Sequence, residues 1–213
     1  RQMTIWQKTV TANVTSVAPP RVGNLAVPEL PSFAAIGLPV EIEVRIRDRH
    51  TPKEWANAYA VQATDDLRIY SILRTARTTD PTLGECHELH YLQMALEKTA
   101  KAFLLKASSN FENHRTSHEV FEKFQKNCFR DPSSGIGKKY ASQLGAFKVL
   151  GKAIEKLAPA VARDVTPENV EYPWSNGSTL FTPAKESFQG GWGTAKPHLP
   201  AFVQMLGDVL KTI

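Results

Sequence analysis

This sequence predicts an all-α protein, an up-and-down bundle of four to five helices preceded by a short β-containing arm. Three patterns carry that expectation. Leu89, Leu92, Leu96, Ala100, Phe103 and Ala107 recur at spacings of three, four, four, three and four, the repeat of a single helix face. Tyr140, Leu144, Phe147, Leu150, Ile154, Leu157 and Val161 carry the same signal through a second long stretch. Residues 40–47 instead alternate apolar and polar, the period of a half-buried strand.

Residues 1–52 contain Pro19, Pro20, Pro28, Pro31 and Pro39, which interrupt helices. With the strand at 40–47 and a partner for it at 9–14, they are expected to form an arm on the main body, residues 53–213. Thr51 as N-cap and Pro52 at the first helical position open helix one, expected over 52–77. Trp55, Tyr59, Ala63, Tyr70 and Leu73 mark its apolar side. Asp66 lies close to that side and is expected to be hydrogen-bonded or solvated, because charge is rarely buried without a partner.

Asp80-Pro81 and Gly84 punctuate a turn, and helix two is expected over 85–108. Thr116 or Ser117 is expected to cap a third helix whose apolar side is Val120, Phe121 and Phe124. After the break at Asp131-Pro132-Ser133-Ser134-Gly135, one long helix is expected over 136–162, kinked or ended by Pro159. Residues 164–196 are rich in Pro, Gly, Ser and Thr and are expected to be an ordered loop. Their aromatics, Tyr172, Trp174, Phe181, Phe188 and Trp192, supply apolar surface to pack it down. A last helix over 200–211, with Phe202, Met205, Leu206 and Val209, closes the bundle.

Apolar residues at 42% and charged residues at 22% are a globular mixture rather than a disordered one. No apolar run approaches the roughly eighteen residues of a membrane span, so no membrane contact is expected. The first residues, Arg1 to Trp6, lack the apolar core of a secretory leader. Two cysteines, Cys86 and Cys128, are too few for a disulfide framework, and a cytoplasmic setting is the expectation. A net charge of +5 permits RNA, DNA or anionic ligands without specifying any of them.

Two stretches resemble a known family. Helix one carries Trp55, Ala63, Asp66-Leu67 and Leu73, and helix two carries Gln93, Ala95, Glu97-Lys98 and Lys101-Ala102. This pairing of a "DL" helix with a "Q-x-A-x-EK-x-x-KA" helix resembles HEPN domains (higher eukaryote and prokaryote nucleotide-binding). Thr116-Ser117-His118-Glu119-Val120 resembles the Thr/Ser-His element that opens the next helix in many of them. Glu171-Tyr172-Pro173-Trp174, with Pro183-Ala184 and Phe188, resembles a tail of some bacterial relatives. The resemblance implies a four- or five-helix bundle, usually a homodimer. Members are either metal-independent RNases of toxin, defence or RNA-processing systems, or inactive modules that bind nucleotides, RNA or a cognate protein partner.

Active members carry Arg-x(4–6)-His. Metal-free RNA cleavage needs proton-moving groups at the 2′-hydroxyl and the leaving oxygen, and a cation for the phosphate. Among the six histidines only Arg45 and His50 have this spacing, and Arg45 falls on the expected strand arm rather than late in the bundle. His114-Arg115-Thr116-Ser117-His118 offers a second constellation, two histidines and an arginine beside a helix start. Its plain alternative is a capping turn in which His118 makes a local hydrogen bond.

The remaining candidates are binding residues. His90, Gln93, Glu97 and Lys101 form one edge of helix two, either a ligand groove or a solvated edge. Lys138, Lys148, Lys152 and Lys156 lie opposite the core face of the fourth helix, either a phosphate-tracking stripe or a solvated face. No aromatic interleaves that stripe on its face of the helix, so single-strand base stacking is not expected there. Cys86-His87-Glu88-Leu89-His90 has helical spacings that suit a metal but lacks a second Cys/His pair, so no metal is expected. Gly190-Gly191-Trp192-Gly193 matches no phosphate loop, no G-x-S-x-G elbow occurs, and no cofactor is expected. The function expected is a non-catalytic, dimeric HEPN-like binding or regulatory module, with an atypical metal-independent RNase as the alternative.

Overall fold

In a computed structural model, residues 50–107, 117–161 and 168–213 are described. The expected strand at 40–47 and its partner at 9–14 lie outside them, as do Arg45, His114, Arg115 and Thr116. Helix α1 (Pro52–Thr79) opens with a complete capping box. The Thr51 hydroxyl accepts from the amide of Glu54 at 3.2 Å, and the Glu54 carboxylate accepts from the amide of Thr51 at 2.6 Å. The helix ends at Asp80, whose side chain accepts from the amide of Thr82 and turns the chain.

Helix α2 (Glu85–Ala107) returns antiparallel to α1. Its expected stripe is buried from Leu89 to Phe103, while Ala107 at the last turn is exposed. Ala95, Thr99, Ala102, Leu104 and Leu105 are buried as well, so α2 is covered nearly all round. A helix with that pattern belongs at the centre of a bundle.

Ion pairs join α1 to α2 at two levels. Lys98 donates to the buried carboxylate of Asp66 at 2.6 Å, and Gln62 donates to its other oxygen at 3.2 Å. Nearer the turn, Arg77 donates to Glu88 at 2.7 Å and to the carbonyl of Leu83 at 3.2 Å. Burial pushes the carboxyl of Glu88 up from its ordinary value, against the pull of Arg77.

Helix α3 (Phe121–Cys128) has no side-chain cap from its own N-terminal residues. The expectation of a cap at Thr116 or Ser117 is corrected, because the N-cap position is Val120; Ser117 donates to the carbonyl of Glu119, and Thr116 lies outside the described residues. The amide of Phe121 is taken by Glu155, whose carboxylate accepts it at 2.7 Å from across the bundle.

The expected single helix over 136–162 is three pieces: α4 (Ile136–Lys139), a 3-10 turn (Ala141–Gln143) and α5 (Leu144–Glu155). Tyr140 leaves helical geometry at φ −110° and ψ 19°. Its hydroxyl donates to Asp208 at 2.7 Å. At the other end, α5 stops at Glu155 because the ring of Pro159 would meet that residue's carbonyl in a continued helix. Gly151 lets α5 lie directly on α3: a Cβ there would stand 2.0 Å from the ring of Phe121.

Helix α6 (Leu199–Leu210) closes the bundle with Phe202, Met205, Leu206 and Val209 fully buried, as expected. Phe202 meets Phe147 at 5.5 Å and Phe121 at 6.3 Å between ring centroids. Asp208 near its end accepts from Lys139, Tyr140 and Lys211, and these donors hold its carboxyl well below the usual range. Between α5 and α6 lie two short antiparallel strands, β1 (Trp174–Ser175) and β2 (Leu180–Phe181). Among the described residues, the architecture is an all-α bundle with one small hairpin. Among the described residues, no helix is long and apolar enough to cross a membrane.

Removing one member of the Asp66–Lys98 pair leaves an uncompensated buried charge. Lys98→Met is expected to cost about 3–5 kcal/mol in urea unfolding, and the double variant Asp66→Leu, Lys98→Met markedly less. Equal losses in the single and double variants would show that the pair is not coupled.

Candidate functional site

Among the described residues, a concave site lies between α5 and the segment that follows it. The hairpin is built by its turn. Asn176 accepts through its side chain from the amides of Ser178 at 3.2 Å and Thr179 at 3.0 Å. Gly177 sits at φ 95°, where a side chain would be strained. The pairing sets Trp174 opposite Phe181, and their rings stack 5.4 Å apart at 10°. Phe188 closes on Trp174 at 5.8 Å and 51°. The segment is tied back to the bundle by Glu85 of α2, whose carboxylate accepts the amide of Phe188 at 2.9 Å.

These rings face α5 across a cavity of about 750 Å³, with Trp192 buried in its lining. That volume is within the usual range for small-molecule sites. Lys152 of α5 and Lys156 at its C-cap belong to the lining, and Glu168, Asn176 and Glu186 add polar groups. The arrangement offers flat apolar faces beside two ammonium groups. With the carboxylates of Glu168 and Glu186 in the same lining, it can receive a planar ring on the aromatic faces and an anionic group only at the lysines.

The lysine stripe is thus partly assembled and partly broken. Lys148 and Lys152 are exposed on α5 and Lys156 is exposed at its C-cap, whereas Lys138 lies on α4 beyond the break at Tyr140. Lys152 also approaches Glu122 at 3.9 Å. The helix itself contributes no aromatic to the stripe; Trp174, Phe181, Phe188 and Trp192 come from the following segment and share the cavity with Lys152 and Lys156. The signal available in sequence was the aromatic content of 164–196, which indicated packing but not its partner.

The edge of α2 is a different kind of place from a solvated surface. Gln93 is 2% exposed and Lys101 5% exposed. Lys101 donates to Glu97 at 2.7 Å, Gln93 donates to the other Glu97 oxygen at 3.2 Å, and the Lys101 ammonium stands over the ring of Tyr59. His118 reaches the same carboxylate at 3.3 Å. His90 belongs to another cavity, of about 410 Å³, with its Nδ1 3.4 Å from Glu171. The four residues therefore divide between two environments.

Of the catalytic candidates, His118 is half-exposed and held beside Glu97. His50 is exposed at the start of α1, 3.9 Å from Glu54 and edge-on to Trp55. Arg45, His114 and Arg115 lie outside the described residues. Among the described residues no three His, Cys, Asp or Glu side chains are placed to hold a metal ion. Both thiols are buried, and burial pushes Cys128 up to about 12 and raises Cys86. No protein-family model, curated protein or solved structure matches the chain.

If the Asn176-Gly177 turn sets the aromatic stack, Gly177→Val should loosen it at a cost of about 1–2 kcal/mol. Near-ultraviolet circular dichroism should then lose tryptophan intensity while the far-ultraviolet helical signal stays. An unchanged near-ultraviolet spectrum would show that the turn does not organise the rings.

Proposed function

We propose that this protein is a non-catalytic, dimeric, HEPN-like binding module whose ligand is a nucleotide or RNA, received in the cavity between α5 and the hairpin. One observation carries the reading. Trp174, Phe181 and Phe188 stand beside Lys152 and Lys156 in one concave site. An aromatic face binds a base with little sequence preference, and a lysine binds phosphate as a point charge. The "DL" and "Q-x-A-x-EK-x-x-KA" helices pair as neighbours in the bundle, which is compatible with the family resemblance.

The test is a titration of ATP, GTP and a short single-stranded RNA, followed by tryptophan fluorescence and calorimetry. Trp174→Ala is expected to weaken binding roughly 5- to 150-fold, the equivalent of about 1–3 kcal/mol per stacked base. Lys152→Ala with Lys156→Ala should flatten the salt dependence of RNA binding by roughly two phosphate charges. No binding by the unaltered protein, or binding indifferent to all three changes, would overturn the reading.

A second reading, an atypical metal-independent RNase, is favoured by one feature. Glu97, fixed by Lys101 and Gln93, holds the half-exposed His118 as a general acid or base is held. A mixed labelled RNA pool incubated in EDTA decides between the two. The binding module leaves it intact; cleavage that disappears in His118→Ala would replace the first reading with the second.

A further inference from the structure

Helix α1 has two faces. Ala56, Ala63, Asp66 and Tyr70 are buried against the bundle. On the opposite side Ala58, Val61, Asp65, Arg68, Ile72 and Thr75 are all exposed, at spacings of three, four, three, four and three. Asn57, Gln62, Thr64, Ser71 and Arg74 are exposed on either side of them, so these six run along the middle of a broad outer face, at the roughly 3.5-residue repeat that a helix–helix seam uses. Val61 is 72% exposed and Ile72 54%, and both are among the large apolar side chains left to solvent. Solvent-facing helix positions are ordinarily polar, so two such residues bracketing a charge pair call for a physical account.

The seam is also a palindrome. About the midpoint between Leu67 and Asp66, Asp65 mirrors Arg68, Val61 mirrors Ile72, and Ala58 mirrors Thr75. A twofold axis between two antiparallel copies, perpendicular to both helices at that height, sets each position level with its mirror position in the partner. Two copies packed antiparallel would set Asp65 of one against Arg68 of its partner, twice, and Val61 against Ile72, twice. This is the self-complementarity that an isologous interface demands, in which residue i meets residue j and j meets i. Within one chain the Asp65 and Arg68 side chains are 3.9 Å apart and more than half exposed, a weak surface pair that can exchange partners.

We infer that the outer face of α1 is a homodimer interface, formed by antiparallel pairing of α1 with α1 of a second copy. The inference deepens the dimeric part of the proposed function and is independent of the ligand. The aliphatic layers supply the apolar burial; the central charges fix direction and register, since a parallel or slipped pairing sets like charges together. The outer layers are small, Ala58 against Thr75, which lets the helix axes approach closely. The pairing leaves the bundle core untouched, because every seam residue lies opposite the buried face. It also doubles the binding unit: two ligand cavities are carried by one dimer, and a chain of nucleotides that reached both would gain from bivalent attachment.

The experiment is sedimentation velocity of the full chain across a concentration series, with three samples beside the unaltered protein. Asp65→Arg and Arg68→Asp each set like charges together in the self-dimer and are expected to weaken self-association tenfold or more. Mixed in equal amounts, the two variants restore opposite charges at both mirror positions, and association should return. Circular dichroism confirms that each variant remains helical. An unaltered protein that stays monomeric throughout overturns the dimeric reading together with this interface. A dimer that survives both single reversals overturns the interface and leaves the dimeric reading standing. Loss in the single variants without recovery in the mixture also overturns the interface, because the charges would then not be facing each other.

Discussion

The pairing of α1 with α2 is the constraint on which the rest of the fold depends. Two long antiparallel helices can slide by a turn at small cost if only apolar surface joins them, since one Leu or Ala contact replaces another. A carboxylate sealed from water cannot slide, because every other register leaves it without its cation. Asp66 and Lys98 pin the middle of the pair in this way, and Arg77 with Glu88 pins the end near the turn. With its register fixed, α2 can be surrounded: α3, α5 and α6 meet its remaining faces, and Phe103, Phe124, Phe121, Phe147 and Phe202 form a connected aromatic centre.

The cavity inherits its position from that same corner. Arg77 lies 3.8 Å from Glu85, and Glu85 holds the backbone of Phe188. The end of α1 therefore indirectly places an aromatic residue more than a hundred positions later in the chain. On the other wall, α5 stops where Pro159 requires it to, and Lys156 and Leu157 become rim residues instead of a further turn of helix. A wall of lysines and a wall of rings are thus brought face to face by two unrelated restraints, an ion pair and a proline.

The elements with strong local signals were legible in the sequence. Thr51-Pro52 marks the start of α1, the leucine stripe marks α2, and Phe202 to Val209 mark α6. What could not be read locally was decided by partners far along the chain. The break at Tyr140 depends on Asp208, and the start of α3 depends on Glu155 rather than on a neighbouring hydroxyl. The site follows the same rule. Lys152 and Lys156 could be picked out by helical phase, but the rings opposite them come from a segment with no periodicity of its own. Gln93, Glu97 and Lys101 were recognisable as a polar edge, yet the partners of that edge, Tyr59 over Lys101 and His118 beside Glu97, come from other parts of the chain. Arg45, His114 and Arg115 are not placed by the described residues.

The contact between Glu155 and the first amide of α3 has a kinetic side. Helix α3 spans only eight residues, too few to persist alone in water. Its leading amide gains an acceptor only when α5 is docked, and α5 docks only when the ring of Phe121 lies flat on Gly151. Burial makes the Glu155 carboxylate costly to keep charged, so it too is comfortable only with that amide in place. Neither helix has an intermediate in which it is half satisfied. The two should open and close as one cooperative unit, their amides sharing a single free energy of exchange with solvent, while α1 and α2, joined by their own ion pairs, belong to a separate and more slowly exchanging one.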